Sequence, residues 1–355
     1  MVNARQELAR TLRRNDAFIG VIEMAEKRLL GCIPSYLQAA EARAVGVQSD
    51  KELIEALVAP WNLTNQPRII EWSDKWVAFL KEEADAKDIM RKHNRYPYLW
   101  VICQKVLGIT LAELVGIIQR RNDCAAWATS RAAMILALLQ RWFGAERTVE
   151  AYNPTGIYAF SSGTTPQAGA YFADNGRTIY SICKAACEVG NFSVADIGQY
   201  SGGTSFTQKM IDARQNAEQA QTGFVYVGDR SANELADIVI LSCRAGRPVI
   251  IGNEIALQDG TRKDENGMYI TTVNGSGWGG GHATCAIDYR KVNDTEYIYI
   301  ANSHGNIYNS GTDIPAFGAY ITRASLVRYL SGRFADIMPL TYTERPAVEN
   351  LNLNP

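Results

Sequence analysis

The stretch Asn122-Asp123-Cys124-Ala125-Ala126-Trp127-Ala128-Thr129-Ser130 decides how the chain is read. A cysteine stands just behind a polar pair, and from Cys124 to Leu139 only Thr129, Ser130 and Arg131 interrupt apolar or small residues. A helix that is apolar nearly all round is a buried one. Asn122 or Asp123 can cap its first turn, and Gly144 supplies a stop. Cys124 then lies at the amino end of a buried helix, where the macrodipole and unpaired N–H groups favour a thiolate. The same pattern serves an inert core cysteine equally well, so this stretch alone leaves both readings open.

Composition narrows the class. The 355 residues carry a formal net charge of −1 and an ordinary charged fraction of 21%, which points away from a nucleic-acid binder and from an acidic disordered chain. Arg5, Arg10, Arg13 and Arg14 have no apolar run behind them, so no secretory signal is expected. The longest apolar runs, such as 132–139, are too short to cross a bilayer, and no membrane partner is expected. These features predict a cytoplasmic or virion-associated protein. Seven scattered cysteines without a CxxC pair or Cys/His cluster suggest reduced thiols, with no metal site and no cofactor. Cys183 and Cys187 share one helix face and are read as packing residues.

Residues 1–109 read as helices. Ser35/Gln38 and Ser49/Glu52 form capping-box pairs, Pro60 closes one helix, and Ser73 starts a longer one towards Lys92 with Trp72, Trp76, Phe79 and Leu80 on its apolar face. His93 is read as an exposed or capping residue. Thr110 and Glu113 cap a helix expected over 111–120, whose Arg120-Arg121 end lacks the basic surroundings of a DNA-binding motif. Further on, 152–174 reads as long loops, and 177–189 as a helix. Strands follow at 223–227 and 249–252, with a helix from Ser231 to about Arg244 between them. The polar, two-proline segment 341–355 reads as an extended tail.

The second half of a candidate site lies between Gly275 and Asn309. Gly279-Gly280-Gly281 precedes His282, from which an apolar strand runs to Tyr289. A turn at Asn293-Asp294 leads into Tyr297-Ile298-Tyr299-Ile300-Ala301, then Asn302-Ser303-His304-Gly305. Antiparallel pairing returns the end of the second strand to the start of the first, so His282 and Asn302 should be neighbours.

The three blocks Cys-Ala-Ala-Trp-Ala-Thr-Ser, Gly-His-Ala and Asn-Ser-His-Gly resemble, in that chain order, the Cys, His and Asn blocks of papain-like cysteine peptidases. The resemblance covers roughly 115–340. It implies an α+β, papain-like fold: a buried helix carrying the cysteine, packed on an antiparallel sheet carrying the histidine and asparagine. It divides the chain into a helical accessory domain (1–109), a catalytic domain (110–340) and the tail (341–355). It also implies Cys124 as nucleophile, His282 as its acid–base partner and Asn302 as the residue orienting the imidazole. An oxyanion-hole amide would come from Gln119, or from Asn122 because Gln119 is one position closer to the cysteine than the family pattern. Two further departures are Ala125 where an aromatic residue is usual, and His304 in place of the tryptophan that shields the His–Asn bond. Trp278 is the expected substitute shield. The implied activity is hydrolysis of a peptide or amide bond through a thioester, on a protein, peptide or peptidoglycan-peptide substrate. An acyltransferase using the same three residues differs only in the acceptor. A different class remains open: a viral, perhaps phage, virion component using the fold as a building block, with 1–109 and the tail as assembly contacts.

Overall fold

The computed structural model describes residues 69–342 apart from 95, 117, 144–147, 215–216, 218–221, 309–313 and 333–334, and apart from the side chains of 275–280. The helices expected within 1–68 and the tail beyond 342 lie outside the described residues.

In chain order the elements are β1 (Ile69–Glu71), α1 (Asp74–Lys92), α2 (Leu99–Leu107), α3 (Leu111–Val115), α4 (Cys124–Trp142), α5 (Thr155–Phe160) and α6 (Ile179–Val189). Then come α7 (Val194–Ile197), α8 (Gln208–Asp212), β2 (Gly223–Tyr226), α9 (Ala232–Arg244), β3 (Val249–Leu257), β4 (Arg262–Lys263), β5 (Tyr269–Ile270) and β6 (Val273–Val292). The last elements are β7 (Thr295–Ala301), β8 (Gly318–Thr322), α10 (Arg323–Tyr329) and β9 (Asp336–Tyr342). The strands form one mixed sheet in the order β1-β2-β9-β3-β6-β7-β8-β5-β4.

The sheet is buried on both faces, and side-chain alternation sorts its residues between two cores. Ile250, Tyr297, Tyr299, Ala301 and Tyr320 pack with α2, α4 and α6. Their immediate neighbours Val249, Ile251, Ile298, Ile300, Ala319 and Ile321 pack with α9 and α10 on the opposite face. The architecture is therefore α+β, with the cysteine helix laid on an antiparallel sheet that carries the histidine and asparagine, as expected.

α4 is the axis of the first core. Every residue from Ala125 to Gln140 is buried, and each large aliphatic side chain so placed contributes about 1.5–3 kcal/mol. Arg131 in its middle is accommodated because Nε donates to the Val115 carbonyl at 2.9 Å, and its guanidinium lies over the Phe317 ring. Burial lowers its pKa to about 10.

Local signals hold for most elements. Ser73 caps α1, with Trp76 and Leu80 buried beneath it. Capping boxes open α3 at Thr110/Glu113 and α9 at Ser231/Glu234, and His93 is the exposed C-cap of α1. Cys183 is buried, while the Cys187 thiol reaches the Thr222 carbonyl. Three expectations change. The boundary at 109 does not separate the described residues: β1 pairs in parallel with β2, Leu99 and Ile102 enter the α4 core, and Arg290 donates to the carbonyls of Tyr96 and Pro97. α3 stops at Val115 rather than near 120, because the Gln119 and Arg120 N–H groups bond to the Ser303 carbonyl and the Tyr200 hydroxyl. The stretch 152–174 contains the short helix α5 among its loops.

Gly318 shows how tightly the sheet closes around the site. A Cβ there would lie 2.5 Å from the Ile300 carbonyl oxygen and 2.6 Å from the Tyr299 ring, and neither can move without shifting β7. Gly318→Ala should cost about 2 kcal/mol, within the range for overpacking. Urea denaturation measures it as a lower midpoint at unchanged slope.

Candidate active site

Three segments converge on Cys124. The first is the amino end of α4. Asp123 is its N-cap residue, but its side chain makes no capping bond. The Asp123 carboxylate is held instead by Arg121 Nε at 2.8 Å and by the Tyr200 hydroxyl at 3.2 Å. This leaves the first N–H groups of the helix turned towards the Cys124 sulfur, which faces the N–H groups of Ala125 and of Cys124 itself.

The second segment is the β6–β7 hairpin. Asn293 and Asp294 both take positive φ, at 46° and 65°, as a tight two-residue turn requires. Cys285 is paired with Ala301, which sets His282 and Asn302 at the same end of the ladder. His282 does not begin the strand, however: β6 runs back to Val273, and His282 also pairs with Asn253 of β3. The Ala283 N–H, one residue on, points at the Cys124 sulfur. Helix and hairpin therefore meet at the thiol.

The hydrogen bonds around Asn302 define the protonation of the histidine. His282 Nε2 lies 2.9 Å from Asn302 Oδ1. That oxygen also accepts the Ser303 N–H at 2.7 Å, and Nδ2 donates to the Tyr308 hydroxyl at 3.0 Å. A backbone N–H needs an acceptor, so Oδ1 is the oxygen and His282 Nε2 must be the donor. The neutral ring is then the Nε2–H tautomer, with its lone pair on Nδ1.

The third segment ties the two together. Gln119 N–H donates to the Ser303 carbonyl at 3.0 Å, and the Ser303 hydroxyl donates to Gln119 Oε1. The Gln119 amide nitrogen makes a longer bond, 3.3 Å, to the Arg121 carbonyl. Asn122 is committed elsewhere, its backbone N–H and Nδ2 both bonding Asp174 at 2.9 and 3.0 Å. The side chain of Trp278 lies outside the described residues. His304 lies against the His282 ring.

Electrostatics pull in two directions. Burial pushes the Cys124 thiol up, against the N–H groups of Ala283 and Ala125 that favour the thiolate. Burial also lowers His282 to about 4, with the Asn302 bond opposing. Either charge alone is therefore disfavoured, whereas proton transfer from thiol to imidazole forms both charges in one desolvated place, where each offsets the other's cost. Among the described residues no cluster of His, Cys, Asp and Glu is arranged to hold a metal ion, and no helix is long and apolar enough to cross a membrane.

Sequence reasoning placed Cys124, His282 and Asn302, and the structure brings all three segments together. It did not find Tyr308, Ser303 or the Ala283 N–H, all of which act through side-chain or backbone contacts that no spacing rule announces.

No family model matches the chain, and comparison with curated protein sequences gives no match. Several solved structures are similar. Xylellain, a cysteine protease from Xylella fastidiosa, is 15% identical with a TM-score of 0.44, over 65% of this chain and 83% of that one. The digestive procathepsin L 3 of Tenebrio molitor larval midgut is 14% identical with a TM-score of 0.40, over 79% and 97%. The Amb a 11 cysteine protease, a major ragweed pollen allergen, in its proform is 16% identical with a TM-score of 0.39, over 65% and 62%.

The burial of His282 has a consequence for stability that is cleanest in Cys124→Ser, where no thiolate can pair with it. The folded-state pKa of about 4 lies below the ordinary 6.5. The unfolded chain therefore binds more protons between those values, and stability present above pH 6.5 is lost as pH falls towards 4. The loss is at most about 3 kcal/mol. Denaturant midpoints of Cys124→Ser at about pH 7 and about pH 4.5 should show it, and adding His282→Asn should flatten the slope.

Proposed function

We propose that the chain is a divergent papain-like cysteine peptidase or amidase that cleaves a peptide or amide bond through a thioester on Cys124. The observation that carries this reading is the His282 Nε2–Asn302 Oδ1 bond of 2.9 Å beside a thiol at a helix amino end. It leaves Nδ1 as the nitrogen that exchanges a proton with Cys124.

In the first half-reaction the Cys124 thiolate attacks the substrate carbonyl carbon. The C–S bond forms, and the carbonyl electron pair moves to oxygen. The oxyanion meets the Cys124 N–H and the Gln119 amide, whose 3.3 Å bond to the Arg121 carbonyl is the weakest of its present contacts. Gln119 is preferred to Asn122 because both donors of Asn122 are held by Asp174. Collapse of the intermediate breaks the C–N bond, and the imidazolium of His282 protonates the leaving amine. In the second half-reaction neutral His282 takes a proton from water, which attacks the thioester and releases the acid and the thiol. Asn302 keeps the ring in the tautomer this sequence needs, and its own amide is held by Ser303 and Tyr308. A protein or peptide substrate fits this chemistry.

The test uses thiol alkylation and hydrolysis together. With iodoacetamide at about pH 5.5, Cys124 should be modified at least about tenfold faster than any other cysteine, and His282→Ala should abolish that advantage. A mixed peptide library should be cleaved by the full chain and left intact by Cys124→Ala. Uniform labelling of the cysteines, or hydrolysis that survives Cys124→Ala, overturns the reading.

A further inference from the structure

His304 stands one residue beyond the Ser303 that clamps both Gln119 and Asn302. Its ring lies on that of His282, with centroids 4.4 Å apart and planes inclined by 30°. His282 is buried and His304 half-buried. Two titratable rings thus share one face at van der Waals distance, and only His282 bonds Asn302 in the manner of an acid–base residue.

We propose that His304 is a positioning residue that covers the His282–Asn302 hydrogen bond while neutral and disables the site when it takes up a proton. The proposal rests on the reading of Cys124, His282 and Asn302 as the reacting group. A neutral ring over a cationic ring is a favourable contact, since the π face attracts the charge. It also keeps water from the bond that orients the imidazole. Two imidazolium rings in the same place repel, so a proton on His304 opposes the one His282 must carry.

The charged groups facing the pair decide which ring is protonated. Arg131 of α4 acts on His282 and disfavours its cationic form, as does His304 itself. Asp259, in the turn after β3, acts on His304 and favours its cationic form. Burial lowers both rings but falls more heavily on His282. The remaining neighbour is Cys124, whose thiolate draws the proton to His282. At neutral pH the thiolate directs the proton to His282. In acid, solvent, Asp259 and Arg131 together direct it to His304. The result is an acid limit on the site imposed by a residue that never touches the substrate carbonyl.

The measurement is the rate of Cys124 alkylation by iodoacetamide as a function of pH, read by peptide mapping of the full chain. In His304→Trp and His304→Gln, neither of which carries a titratable ring, the acid limb should move down by about one pH unit. His304→Trp should keep a higher plateau than His304→Gln, because only the former restores a flat cover. Limbs that coincide with that of the unmodified chain in both variants overturn the proposal, as does an upward shift. The underlying reading fails separately. If His282→Ala leaves the Cys124 profile unchanged, the reacting group itself is wrong. If His282→Ala collapses the profile while both His304 variants overlay the parent, only the role of His304 is wrong.

Discussion

The docking of α4 against the sheet is the constraint on which the rest of the structure depends. A helix buried along its whole length has one accessible place for chemistry, its end. The Ala125–Gln140 run leaves no face for solvent, so α4 is fixed in rotation and translation by contacts on every side. Cys124 sits at the first position past that buried run, and the sheet strand it meets there carries His282. A shift of α4 by even part of a turn would separate the thiol from the Ala283 N–H and leave a core void in its place.

Arg131 links this packing to the site. It lies two turns beyond Cys124 on α4, bonds the carbonyl that ends α3, and faces Phe317. Phe317 in turn accepts the Asn302 N–H at 2.8 Å. A single buried cation thereby touches the segment leading to Gln119 and the strand receiving Asn302. A hydrophobic residue of the same volume would pack as well, at no desolvation cost. What the guanidinium adds is direction: its Nε–H requires an acceptor in one place, and the charge weighs against a second positive charge on His282.

The parts legible in sequence were those encoded over short spans. The His282–Asn302 neighbourhood follows from two alternating strands and a two-residue turn, because pairing register converts a turn position into a contact. The buried helix announces itself by composition, and the α3 and α9 boxes by four-residue spacing. The missed features involve partners far apart in the chain. Nothing near 109 reveals that three residues of β1 join the sheet beside β2, since a strand that short carries no periodicity. Gln119 was expected inside a helix. Its backbone left the helix because Ser303, 184 positions later, offers a better partner for both its N–H and its side chain.

The same distinction bears on how the departures from the papain-like pattern fit together. The one-position displacement of Gln119 and the histidine in place of the shielding tryptophan look independent in sequence. In the structure they flank one residue, Ser303, which accepts from Gln119 through its carbonyl, donates to Gln119 through its hydroxyl, and donates its N–H to Asn302. His304 follows directly and covers His282. A loop that clamps the oxyanion-side amide and the orienting asparagine in the same turn has little freedom to project a large indole over the imidazole. A smaller ring stacked at 4.4 Å fits the clamp. The consequence is chemical: the cover is itself a base, so the device that shields the hydrogen bond also competes for its proton.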